Sequence, residues 1–237
     1  MFLPESRRPK ILSPSLKLAE RTRMLRKIKD IYANAERQID AMGGSQNFIN
    51  RLYSGSPSTA RLTQLKEGWI IGRFAALYNE TESPTLVWAA RHLPATKRAD
   101  FSVYDERKVY LCDVEVTAIF PKPSTKSPHG IGDFVPYPPS PDTENPLVTH
   151  VWVDRSPSQQ PYAYARRVIE KHLRDAYPPY WLVIYDNEFL AFRGITRADA
   201  VRRLEEIFTA KKTRRKLPPS LKQVWILYDD ALARLSL

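Results

Sequence analysis

Asp113, Glu115 and Thr117 alternate with Cys112, Val114, Val116 and Ala118 in the strand-like segment from Val109 to Phe120. A spacing of two is the repeat of a strand, so the three polar side chains project from one face. Two carboxylates side by side on an otherwise apolar strand repel each other and are costly to bury. That face calls for a cation. Asp100 opens a second short apolar run, Phe101 to Tyr104, and the charged turn Asp105-Glu106-Arg107-Lys108 joins the two segments. The resulting hairpin could gather three carboxylates at one end. Hard oxygen donors of this kind suit Mg²⁺ or Mn²⁺. Such an ion lowers the pKa of a bound water and offsets charge on a phosphate. The bland alternative is an exposed hairpin whose outer face carries ordinary charges.

Other chemistries find less support. Cys112 falls on the opposite strand face from the acids, between apolar neighbours, and reads as an inert core thiol. His92, His129, His150 and His172 show no metal-ligand spacing and do not pair with cysteine, which argues against a zinc site. None of the eight glycines belongs to a phosphate-binding G-x-x-x-x-G-K pattern. One cysteine in 237 residues excludes an intrachain disulfide and fits a reducing interior. No apolar run reaches the roughly 20 residues of a membrane helix, and the opening MFLPESRRPKIL lacks the apolar core of a signal peptide. A cytoplasmic location is expected. The formal net charge of +11 favours polyanionic partners through counterion release, and nucleic acid is the expected one.

The elements that must position these residues follow from periodicity. Residues 17–42 read as a basic helix whose Leu18, Leu25, Ile28, Tyr32, Ala35, Ile39 and Met42 form an a/d-like seam, interrupted at Arg21 and stopped by Gly43-Gly44. The seam can pack on the protein's own core or on a second copy, which would make a homodimer. Arg21, Arg23, Arg26, Lys27 and Lys29 offer either a phosphate-facing surface or a solvated face. After a break at 54–57, a second helix is expected over 58–78, with Leu62, Leu65, Trp69, Ile70, Phe74 and Leu77 as its stripe. Gly68 and Gly72 flatten one of its sides for close packing. Glu67 lies beside the stripe, either as a solvated edge residue or turned inward toward a cation. A short strand follows over 85–90, then the hairpin.

Residues 121–161 hold ten of the 20 prolines, and within them only 147–153 reads as a strand. The last third alternates: a helix over 160–177 with Ala165, Ile169, His172, Leu173 and Ala176 inward, a strand over 180–185 buried on both faces, a helix over 196–208 capped by Thr196 with Asp199 at N3, a basic loop over 211–216, and a strand over 224–228. Helices alternating with buried strands give an α/β (α+β) class: a central mixed sheet flanked by helices. Two units are expected, a basic helical extension over 1–55 and an α/β core over 56–237 carrying the proline-rich insertion.

With these residues in view, Arg98-Ala99-Asp100, a gap of about a dozen residues, and Asp113-Val114-Glu115-Val116-Thr117 resemble the motif of the PD-(D/E)XK nuclease superfamily. The order of elements over 58–185 is similar to that restriction-endonuclease-like core. Alanine stands where the family has proline before the aspartate, and the motif lysine is missing. The resemblance implies a metal-dependent nuclease cutting DNA, with Asp100 as the first ligand. Two registers stay open. Either Asp113 is the second ligand with Glu115 in the lysine position, or Glu115 is the ligand with Thr117 there. Glu67 resembles the extra acid some members place on the preceding helix. The resemblance thus implies Mg²⁺ or Mn²⁺ held by Glu67, Asp100, Asp113 and Glu115. Lys171 is the first candidate for a displaced lysine, and Arg166, Arg167, Lys171 and Arg174 are the expected phosphate contacts. The alternative is a catalytically inactive nucleic-acid-binding or assembly subunit on the same fold.

Overall fold

β-branched and aromatic residues at period two make the strands, and the fold is organised by which of their faces each helix covers. A computed structural model describes residues 25–44, 47–48, 59–92, 98–119, 162, 165–173, 177–188 and 195–236. Its elements in chain order are β1 (Arg26–Lys27), α1 (Ile28–Ala41), α2 (Thr59–Thr81), β2 (Trp88–Arg91), β3 (Phe101–Tyr104) and β4 (Tyr110–Ile119). They continue with α3 (Ala165–Glu170), β5 (Tyr180–Asp186), α4 (Arg197–Thr209), α5 (Lys211–Arg214), β6 (Leu221–Leu227) and β7 (Leu232–Arg234). Among the described residues the strands form one seven-stranded sheet in sequential order, β1 to β7. Pairs β1–β2, β2–β3, β3–β4 and β6–β7 are antiparallel, whereas β4–β5 and β5–β6 are parallel.

The mixed sheet with flanking helices is the expected α+β class. Cys112, Val114, Val116 and Ala118 of β4 join Val183 and Trp225 beneath α2, where Ile70, Phe74, Leu77 and Tyr78 close one core. Ile119, Leu182, Ile184, Val224 and Ile226 on the other face pack against Ala165 and Ile169 of α3 and Ala200, Leu204 and Phe208 of α4. β5 alternates between the two cores, as a strand buried on both faces must. Among the described residues, no helix is long and apolar enough to cross a membrane.

Several boundaries differ from the sequence expectation. The first helix begins at Ile28, not Lys17, because Arg26 and Lys27 pair with Ala89 and Trp88 as an edge strand. Residues 17–24, with Leu18, Arg21 and Arg23, lie outside the described residues. Gly43 and Gly44 end this helix region with φ of 92° and 86°. Of the helix expected over 160–177 the structure describes Ala165–Glu170: Tyr162 before it takes a φ of 65° that no helix tolerates, Lys171 and His172 after it form a turn, and 160–161, 163–164 and 174–176 lie outside the described residues. The basic loop contains the one-turn helix α5, and β7 is an added strand. The strand expected over 147–153 and the rest of the proline-rich stretch lie outside the described residues. Thr196 caps α4 as expected, accepting from the Asp199 N–H at 3.1 Å.

Gly68 and Gly72 do seat α1 on α2. A Cβ on Gly72 would stand 2.3 Å from Tyr32 Cβ, and one on Gly68 3.3 Å from Ile31 Cγ2. The obstruction at Gly72 sits at the root of the tyrosine side chain, so the helices themselves must separate. Alanine gains up to about 1 kcal/mol of helix propensity, but overpacking costs about 1–3 kcal/mol. Gly72→Ala is therefore expected to lower stability in urea denaturation; an unchanged or higher midpoint would contradict this close approach.

Candidate active site

The β3–β4 register puts Ser102 directly opposite Asp113 and Phe101 opposite Val114. Asp113, Glu115 and Thr117 share the β4 face that looks toward α3 and α4, and all three are buried. For Asp113 the cation demanded by burial comes from within the chain. Arg98 Nη2 lies 2.9 Å from both carboxylate oxygens, and its Nε is 3.1 Å from Oδ2. Ser102 Oγ donates at 2.5 Å and the Tyr110 hydroxyl at 3.2 Å, both to Oδ1. Burial and the charge of Asp113 push the Tyr110 phenol up to about 12. This carboxylate is saturated with donors.

Glu115, two residues on, is not. Its Oε1 lies 2.7 Å from His172 Nδ1, while Oε2 is buried and has no hydrogen-bond partner among the described residues. His172 Nε2 is in turn 3.0 Å from Thr117 Oγ1, so one imidazole spans two residues of the same strand face. α3 is positioned for this from its other end. Tyr162, just before it, donates its hydroxyl to Asp186 at 2.7 Å and its backbone N–H to Glu188 at 2.5 Å. Burial raises the Glu188 carboxyl to about 8.

Asp100 precedes β3 and its Oδ2 accepts the Val116 backbone N–H at 2.9 Å, next to Glu115. Burial, reinforced by the charges of Glu115 and then Glu67, raises the Asp100 carboxyl from 3.8 to about 8. The Val116 N–H and Arg91 act in the opposite direction. Glu67 comes from α2 and is turned inward, where it is ion-paired with Arg91 of β2. Arg91 also donates to the Gln64 carbonyl at 2.7 Å and lies 4.7 Å from the Phe101 ring centre.

Lys66 sits one helical turn from Leu62 and Ile70, on the inward side of α2. Burial lowers its pKa, and the charges of Glu67 and Asp100 partly restore it. The structure thus brings Asp100 within electrostatic reach of Glu115, Glu67 and Lys66, with Lys66 also beside Glu67, and sets Asp113 into a separate pair with Arg98. Sequence reading missed Lys66 and His172. The available signals were a lysine at i±4 from two stripe residues, and a histidine on the inward side of its helix.

Arg166, Arg167 and Lys171 are exposed on and just after α3, whereas Arg174 lies outside the described residues. Glu170 of α3 pairs with Lys216 at 2.7 Å, and Arg214 and Arg215, the two residues before Lys216, are exposed. Cys112 is buried on the α2 face as expected, and burial followed by the charge of Asp113 raises its thiol pKa. Among the described residues, no group of three or more His, Cys, Asp and Glu side chains is arranged as a metal cage. Mg²⁺ does not require one, because it is commonly held by one or two carboxylates together with waters and substrate phosphate. Asp100 and the free oxygen of Glu115 suit that mode. No protein-family model matches the chain, and neither does a curated protein or a solved structure.

Proposed function

We propose that this chain is a divalent-metal-dependent nuclease hydrolysing phosphodiester bonds in DNA, on a restriction-endonuclease-like core. The carrying observation is the Asp100–Glu115 pair: two carboxylates meeting at Val116, one raised to about 8 by its neighbours, the other with a buried oxygen unmatched by any donor. The succession α2, β2, the β3–β4 hairpin, α3 and β5 supports the resemblance in element order.

Of the two registers, the arrangement supports the second, with Glu115 as ligand and Thr117 in the lysine position. Asp113 has its donors already. Mg²⁺ or Mn²⁺ between Asp100 and Glu115 would supply an activated water and charge relief at the phosphate. Lys66 takes the place assigned to the missing lysine, rather than the exposed Lys171. Its ammonium is destabilised by burial and can give up or hold a proton beside Asp100. Arg91 pairs with Glu67 and orients it at the outer side of the site. Arg166, Arg167 and Lys171, with Arg214 and Arg215, offer a basic surface for the rest of the backbone, in keeping with the +11 charge.

An inactive nucleic-acid-binding subunit is the second reading. It is favoured by the cations and imidazole that already offset these acids from within, Lys66, Arg91 and His172. Supercoiled plasmid incubated with the purified protein separates the two. Cutting is expected with Mg²⁺ or Mn²⁺, absent in EDTA, and reduced more than about a hundredfold in Glu115→Gln, beyond what losing a residue that merely supports a ligand costs. At a metal concentration a hundred times the Kd, the wild type gains about 2.7 kcal/mol of stability, and Glu115→Gln gains none. A wild type that neither cuts nor is stabilised by either ion refutes the nuclease assignment.

A further inference from the structure

We infer that His172 is a positioning residue that holds Glu115 in its metal-binding orientation, and that Thr117 serves to fix the His172 ring. The inference rests on the nuclease reading above and concerns this chain's own residues.

The geometry starts from what each atom can do. An ionised carboxylate only accepts, so the 2.7 Å contact with Glu115 Oε1 requires a proton on His172 Nδ1. In the neutral imidazole Nε2 is then an acceptor, and Thr117 Oγ1–H, 3.0 Å away, is the donor facing it. Both ring nitrogens are matched, and the ring cannot turn without breaking both contacts. Glu115 without this anchor is a side chain with three rotatable bonds and, among the described residues, no other side-chain hydrogen bond. With the anchor, Oε1 is engaged and Oε2 stays buried without a donor among the described residues, while the N–H of the next residue, Val116, holds Asp100. A neutral donor to a ligand carboxylate orients it while leaving its negative charge available to a metal.

This also accounts for the residue in the lysine position. Thr117 is buried and two residues from Glu115 on the same strand face, which is the separation one imidazole can span. On this view it performs no chemistry on substrate. The remaining neighbours are consistent: the Tyr180 hydroxyl donates to the His172 carbonyl at 3.2 Å and fixes the backbone rather than the ring.

The test uses the full chain and Mn²⁺ as the probe, measured by isothermal titration calorimetry on the wild type, His172→Ala, His172→Asn and Thr117→Val, with Glu115→Gln as the ligand-loss control. Loss of such a supporting partner typically weakens metal affinity 10- to 100-fold, so His172→Ala is expected in that range, and His172→Asn, whose amide N–H can still reach Glu115, within about threefold of wild type. ¹⁵N-detected NMR of the wild-type imidazole is expected to show the Nδ1–H tautomer, and Thr117→Val to lose that preference. If His172→Ala does not fold, the asparagine variant and the tautomer decide. Wild-type Mn²⁺ affinity in His172→Ala, with binding lost in Glu115→Gln, overturns the role of His172 and leaves the nuclease reading standing. An Nε2–H tautomer in the wild type overturns it as well. A wild type that does not bind Mn²⁺ overturns both.

Discussion

Asp100→Asn is expected to make the metal-free protein more stable at pH 9 than the wild type, while abolishing its stabilisation by Mg²⁺. The folded Asp100 carboxyl sits near 8 against an ordinary 3.8, chiefly because it is buried and then because Glu115 and Glu67 repel its charge. A folded-state pKa above the unfolded one means that Asp100 favours folding fully below about pH 4. That contribution is lost as the pH climbs toward 8, where the folded group must finally ionise. Each unit of difference corresponds to 1.36 kcal/mol, and relaxation around the site reduces the total to on the order of 3–5 kcal/mol. Asparagine keeps an acceptor for the Val116 N–H and stays neutral, so it removes the slope. Glu188, also raised to about 8, contributes in the same direction in both proteins and cancels in the comparison. Urea denaturation at pH 5 and pH 9 in EDTA measures the difference directly. Equal pH slopes for the two proteins would rule out the proposed strain at Asp100. The proposed metal ligand is thus expected to be one the apoprotein would be better folded without.

Asp113→Ala should behave in the opposite way, costing stability and sparing metal binding. It deletes the acceptor of Arg98, Ser102 and Tyr110 together. Breaking a buried ion pair by removing one partner costs about 3–5 kcal/mol. The lower end, about 3 kcal/mol, applies here because the Arg98 side chain is 27% exposed and keeps water as an alternative. Asp113→Asn retains an acceptor for Ser102 and should lose roughly half as much. In either variant the Mg²⁺-dependent rise in melting temperature is expected to persist under conditions where the protein is folded. Loss of that rise in a folded Asp113→Asn would restore Asp113 as a ligand and revive the other register.

The contrast between Asp113 and Glu115 shows where sequence reading runs out. Period two placed both on one face of β4, and the structure agrees. What separates them is the neighbouring strand, which sets Ser102 opposite Asp113 and brings Arg98 from the loop before it. In this hairpin the register also depends on the turn and on the irregularity between Val103 and Tyr104, which the period of β4 alone does not contain. Lys66 and His172 escaped for the same kind of reason. Lys66 is one residue on α2 and His172 one residue in the turn just after α3, and the partners of each come from other elements. The long periodic elements α2, β4, β5 and α4 were legible from their apolar repeats and, for α4, from Thr196 and Asp199. β1 and β7 were not, because two or three residues carry no period and pair only where an edge is presented to them. That the helix expected over 160–177 does not include Tyr162 was hidden too, since the side chain and N–H of this positive-φ residue are held by two buried carboxylates 24 and 26 residues away.

Cys112 gives the molecule an internal gauge of its own cohesion. It is the chain's single thiol, buried between β4 and α2, with ionisation disfavoured by burial and by the adjacent Asp113. A thiol-reactive dye at neutral pH therefore meets no target on the folded surface, and its uptake counts the openings that peel β4 away from α2. When such openings are fast, the rate of uptake tracks their equilibrium free energy. One strand then carries the acids of the candidate site on one side and the sensor of its integrity on the other. The dye can report whether a change on the first face has loosened the layer behind it.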